Sequence, residues 1–283
     1  MSTSTSTAQS GRTAAPEPGR GIPGPDTPGR GGTGGFAGGF GGAVASEWTK
    51  LWSVRAASLC LLAGLAITGV FAYYYGSISR INDLPVQPVG NAAAASAVVS
   101  QFAVVVMATV AVTSEYTTGT VRAALLWVPR RHRVQAAKAL VTAVVAFLGG
   151  SVFAVIGTAV AWGAFGGRAS FQVGTVLGQI LAVGVYQALV AVLTVGVAFA
   201  TRHPAGALSI LFTLLWGLPS VLLGLGGETL AAVNDRLPHG AGDHFMQAGD
   251  AAPYTSVTAV LIVAAWAAAA HATGLYVLRR RDA

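Results

Sequence analysis

Residues 139–167 read ALVTAVVAFLGGSVFAVIGTAVAWGAFGG, twenty-nine positions without an Asp, Glu, Lys or Arg. About 20 residues of helix cross the ~30 Å of hydrocarbon in a bilayer, so this run is long enough to span one. It does not alternate polar and apolar residues, as a strand of a membrane barrel would. Only helices and closed barrels satisfy their backbone groups inside lipid, so the run predicts a transmembrane helix. Five further charge-free windows lie on either side: 56–79, 84–114, 169–201, 204–227 and 251–278. The gap at 31–46 is Gly-rich and weakly apolar, and is not a span. Six helices follow, near 56–76, 92–113, 138–163, 173–200, 205–225 and 256–278. The third and fourth exceed the minimum length and must tilt or project.

The whole composition agrees. Only 10% of the 283 residues are charged and 53% are hydrophobic, against roughly 25% charged in soluble domains. Mean hydropathy is +0.63. The net charge of +7 reads as loops that set topology and meet anionic lipid, not as a nucleic-acid surface. The single Cys60 falls in the first span, which excludes an intramolecular disulfide or a cysteine metal cluster.

Charge also orients the chain. Arg12, Arg20, Arg30, Lys50, Arg55, Arg122, Arg130, Arg131, Arg133, Lys138, Arg202, Arg279, Arg280 and Arg281 fall on one side, and only Arg80, Arg168 and Arg236 on the other. The positive-inside rule puts both termini in the cytoplasm of a multi-pass plasma-membrane protein. Tyr73, Tyr74 and Tyr75 close the first span at the outer interface.

Residues 1–42, rich in Gly, Pro, Ser and Thr, cannot bury a core and are expected to be a disordered cytoplasmic tail. Residues 43–283 form the membrane domain. Within 43–55, Val44, Trp48, Leu51 and Trp52 share one helical face, with Glu47 and Lys50 elsewhere on the wheel. That pattern predicts a helix lying flat at the inner interface, or simply a cytoplasmic start to the first span.

The second loop runs Ser114-Glu115-Tyr116-Thr117-Thr118-Gly119-Thr120-Val121-Arg122, then Ala123-Ala124-Leu125-Leu126-Trp127-Val128-Pro129, then Arg130-Arg131-His132-Arg133 up to Lys138. Val121, Leu125 and Val128 share a face and Pro129 ends the segment. A short amphipathic cytoplasmic helix is therefore expected between spans two and three. In the fifth loop a short helix or re-entrant piece is expected around 227–236, and Pro219 should kink the fifth span.

Sites that would carry chemistry are scarce, and no catalytic residue is assigned. Lys50 and Lys138 are not preceded by Gly or followed by Ser or Thr, so no phosphate-binding loop exists and ATP must be hydrolysed elsewhere if it is used at all. No metal site is assigned: His239, Asp243 and His244 could bind an ion, but a solvated loop is the simpler account. No carboxylate lies within the spans, which disfavours an ion-coupled carrier. His271, well inside the last span, is expected to be neutral and bonded to a neighbouring helix. Gln101, Thr175, Gln179 and Tyr186 either line a substrate path or tie helices together.

At the second loop the chain resembles the type-2 ABC exporter permeases of actinobacteria. The resemblance is carried by Glu115–Arg122, by Pro129-Arg130-Arg131 and Lys138, and by the opening Ser46-Glu47-Trp48-Thr49-Lys50-Leu51. It covers about residues 43–281. It implies an all-α integral membrane permease that pairs with a second permease, as a homo- or heterodimer, and binds a cytoplasmic ABC ATPase subunit that holds ATP and Mg. It implies that 115–129 is the coupling helix docking on that ATPase and that 43–55 is the connecting helix, with Glu47, Trp48, Lys50 and Trp52. The docking segment would be Glu115, Tyr116, Thr118, Gly119, Thr120, Val121, Arg122, Leu125, Trp127, Pro129, Arg130, Arg131 and Lys138. Within it Glu115 is expected to anchor the helix start, through Arg122 or Lys50, and Val121, Leu125 and Trp127 to touch the partner. The cargo is expected to be amphipathic or lipophilic. The competing class is a membrane scaffold or sensor that transports nothing.

Overall fold

The computed structural model describes residues 39–117, 131–248 and 253–280. They form ten α-helices. The first is α1, Phe40–Ser53, followed by α2, Arg55–Ile81, and α3, Gly90–Thr117. Then come α4, Arg131–Phe165, and α5, Val173–Thr201. A further stretch combines α6, Pro204–Phe212, a π turn at Thr213–Gly217, and α7, Leu218–Leu225. Two short helices, α8 at Glu228–Asn234 and α9 at Pro238–Met246, precede α10, Ser256–Arg280. Six stretches are long and apolar enough to cross a membrane: Arg55–Ile81, Gly90–Tyr116, His132–Phe165, Val173–Thr201, Pro204–Leu225 and Ser256–Arg280. The chain thus has the makings of an all-α, multi-pass membrane protein, and each stretch contains or closely overlaps a span read from the sequence.

The most deeply buried of these is α5, which packs against α3, α4 and α10. Its buried face carries Val183, Tyr186, Val190 and Leu193, and these meet Val105 of α3, Leu211 and Leu215 of the fifth stretch, and Val263 of α10. In lipid the hydrophobic effect does not drive helices together, and close backbone approach through small residues is one of the contacts that hold them. Gly196 and Gly274 supply that approach where α5 crosses α10: a Cβ on either would overlap the other helix's backbone.

Pro219 has no N–H to return to the preceding turn. The expected break takes the form of the π turn just before it, in which the Leu218 N–H bonds the Thr213 carbonyl, one residue beyond α register. The fifth stretch ends at Gly226 and Gly227, both at positive φ (72° and 98°), a conformation that a side chain would resist.

Three features differ from the sequence reading. First, α1 begins at Phe40, so residues 40–42 belong to a helix rather than to a tail. Second, a two-residue parallel bridge pairs β1, Gln87–Pro88, with β2, Ala169–Ser170. Together with an Arg168–Asp83 ion pair it joins the first and third loops. Third, the fifth loop holds two helices instead of one. The Gly and Pro of 238–242 look like loop residues, but a Cβ at Gly242 would overlap the Tyr186 ring and one at Gly240 would overlap the backbone of Asn234. The glycines allow α9 to sink into the bundle, where Ala241 and Met246 are buried.

Candidate functional site: a buried charge cluster at the root of the second loop

Charged side chains from three helices converge where the described chain enters and leaves the second loop. Glu47 comes from α1, Glu115 from the last turns of α3 and Lys138 from the second turn of α4. Lys138 is 3% exposed, Glu47 6% and Glu115 12%. The Lys138 ammonium donates to Glu47 Oε2, to Glu115 Oε1 at 3.1 Å and to the Ala111 carbonyl at 2.9 Å. All three of its N–H groups are therefore used. Lys50 closes the ring from outside, donating to Glu47 Oε1 at 2.7 Å and Glu115 Oε1 at 3.0 Å. Two ammoniums balance two carboxylates, the condition under which buried charge is tolerated.

Burial alone would lower the proton affinity of Lys50, but the hydrogen bond and charge of Glu47, followed by those of Glu115, outweigh it and hold its pKa above the ordinary value. Of the two anchors expected for Glu115, Lys50 is present; Arg122 lies outside the described residues.

The cluster also explains how α1 is set. The sequence pattern places Val44, Trp48, Leu51 and Trp52 on one helical face. In the structure Leu51 is buried and Val44 partly so, against Ala57, Met107, Val141 and Val145. Trp48 and Trp52 are 42% and 46% exposed and pack edge to face at 6.0 Å. The buried stripe is rotated towards Glu47, because the Lys138 ammonium offers that carboxylate a partner inside.

Next to Glu115, Tyr116 turns to the other half of the bundle. Its ring packs edge-on against Phe199 at 6.3 Å between centroids, and the Arg202 guanidinium lies 5.6 Å from its centroid. Thr118, Gly119, Thr120, Val121, Arg122, Leu125, Trp127, Pro129 and Arg130 lie outside the described residues. Arg131 opens α4, and its side chain is likewise outside them. Lys138 is buried and does not lie on an open face.

The polar residues of the spans are gathered in part. The Tyr186 hydroxyl donates to Gln101 Oε1 at 2.6 Å, and Gln179 Nε2 donates to Asn91 Oδ1 at 2.7 Å. Gln187 reaches the Ala97 carbonyl at 3.3 Å. All of these bonds tie α5 to α3. Thr175 stands apart, at the start of α5, in a small cleft with Pro88, Ser170, Gln172 and Val176. His271 Nδ1 lies 3.3 Å from the Gln135 amide nitrogen, which also donates to the His271 carbonyl at 2.8 Å. The expected bond to a neighbouring helix is therefore present.

Asn91 escaped the sequence reading. Besides holding Gln179, it bonds both the N–H and the carbonyl of Ala248, just after α9. Only its position at the start of an apolar run could have marked it. Nearby, the Trp266 indole donates to the Arg236 carbonyl at 2.9 Å and His244 pairs with Asp235 at 3.0 Å. Burial lowers the pKa of His239, with the Asp243 carboxylate pulling the other way. Among the described residues no three His, Cys, Asp or Glu side chains gather as a metal site would require.

No protein-family model matches the chain, and no curated protein matches it either.

Proposed function

We propose that the chain is the membrane-spanning permease subunit of an ATP-driven exporter, working with a second permease and a separate cytoplasmic ABC ATPase. The observation that carries this reading is the Glu47–Lys138–Glu115–Lys50 ring. A loop that passes on the stroke of a partner needs a stiff root, and the ring clamps the entry to the second loop, its exit and α1 into one unit. In this reading 115–129 docks on the ATPase and α1 lies along the inner membrane surface with Trp48 and Trp52 towards lipid. Both termini face the cytoplasm, in keeping with the distribution of Lys and Arg. The near absence of charge within the spans favours an amphipathic or lipophilic cargo.

The test is purification in mild detergent from the native host, with an assay for ATP hydrolysis. A stoichiometric ATPase should co-purify and be lost when Val121 and Leu125 are changed to Asp. In Glu115→Ala complexes that remain assembled at a temperature below the lowered Tm, hydrolysis should separate from transport. A folded chain that repeatedly elutes alone would replace the permease reading with that of a scaffold or sensor.

A further inference from the structure

We propose that Tyr116 is a positioning residue, a wedge that passes displacement of the second loop to the turn between the fourth and fifth spans. The inference rests on the permease reading and adds a second route out of the same loop. Consecutive residues of a helix point about 100° apart, so Glu115 and Tyr116 address different neighbours. Glu115 holds Lys50 and Lys138 of α1 and α4. Tyr116 packs edge-on against Phe199 of α5, beside a buried cluster to which α5, α6 and α10 contribute. One peptide unit at the end of α3 thus touches both halves of the bundle.

The receiving end is a tight turn. Only Arg202 and His203 separate α5 from α6. Arg202 caps α5 at φ 58°, a left-handed conformation that a residue with a Cβ adopts at a penalty. Its guanidinium lies over the Tyr116 ring at 5.6 Å, within reach of a cation–π attraction. The ring is therefore held between an aromatic edge on α5 and a cation at a strained turn. Pushing on it moves the start of α6, and α6 leads directly into the π turn at Thr213–Gly217. The Tyr116 hydroxyl is buried with no hydrogen-bond partner among the described residues, so the ring carries the contact.

The experiment uses the whole complex with its ATPase in proteoliposomes, in a Cys60→Ser background. Paired spin labels read two distances. One runs from Leu148→Cys on α4 to Val221→Cys on α7, the other from Leu148→Cys to Leu59→Cys on α2. All three positions are exposed. Addition of ATP and Mg should shift both distances in the otherwise wild-type complex. In Tyr116→Leu the population shift of the α7 pair should fall about fivefold or more, the size of an ordinary coupling between sites, while the α2 pair still responds. Tyr116→Phe, which keeps the ring, should respond fully at both. An α7 response that persists in Tyr116→Leu overturns the wedge. So does loss of both responses together, which would mark a general structural defect, or a Tyr116→Phe that behaves like Tyr116→Leu. If neither pair responds in the wild-type background, the permease reading falls and the wedge falls with it.

Discussion

Replacing Lys138 with Met should unseat the charge cluster. Met keeps most of the side-chain volume and removes the ammonium, so three hydrogen bonds disappear at once. Glu47 and Glu115 would then share Lys50, which is itself 44% exposed, and two carboxylates in a largely buried site would face a single cation. Removing one member of a buried ion pair costs about 3–5 kcal/mol, because the remaining charge stays desolvated. For a chain of this size each kcal/mol moves the midpoint by roughly 2–4 °C, so Tm should drop by roughly 6–20 °C. Thermal unfolding followed by tryptophan fluorescence in detergent measures this directly. Lys138→Met combined with Glu47→Gln restores the charge balance, because Lys50 and Glu115 then form a matched pair, and it should recover at least about half of the loss. A single variant that loses under about 2 °C, less than one kcal/mol on the same scale, would refute the reasoning. So would a double variant no more stable than the single one.

Alkaline pH should weaken the same cluster. The Lys50 pKa is raised in the folded chain, so the stability it contributes is complete below its ordinary value of 10.5 and disappears as pH rises through the higher folded value; Lys50→Met should flatten that part of a Tm–pH curve. Acid should act on the helices of the fifth loop instead. The His239 pKa is lowered on folding, so its contribution is present above 6.5 and fades as pH falls below that. Hydrogen exchange across 238–246 should therefore quicken on acidification in the wild type and much less in His239→Asn. Gly242→Leu should prise α9 off the Tyr186 ring, costing about 1–3 kcal/mol as overpacking does; limited proteolysis between 228 and 248 should speed up, and unchanged cleavage would sink that packing argument.

The spans were legible because membrane crossing is a local property: apolar length and the absence of charge can be counted along the chain. Half of the Glu115 anchoring was legible as well, since Lys50 was one of two cations named for it and the structure brings the two within 3.0 Å. Other features were hidden. The burial of Glu47 is one of them, because periodicity along α1 cannot show that the Lys138 ammonium, 91 positions away, donates to its carboxylate. The second helix of the fifth loop is not legible in the sequence, because Gly and Pro usually break helices. Here Pro238 occupies the first turn of α9, where its missing N–H costs nothing, and the glycines are clearance for Tyr186 and Asn234.

The amino-acid sequence alone determined that this chain forms long apolar helices, where their polar connections lie and which connections carry positive charge. Each of these depends on residues within a window of about 20 positions, the length a bilayer imposes. Only the tertiary structure decided which polar groups meet. Glu47 and Lys138 are separated by 91 positions, Gln101 and Tyr186 by 85, and Asn91 and Ala248 by 157. Nothing in a local pattern ranks such pairs. They form because desolvated charges and amides must find partners across helix interfaces, and the packing of α3, α4 and α5 settles which partners come within reach.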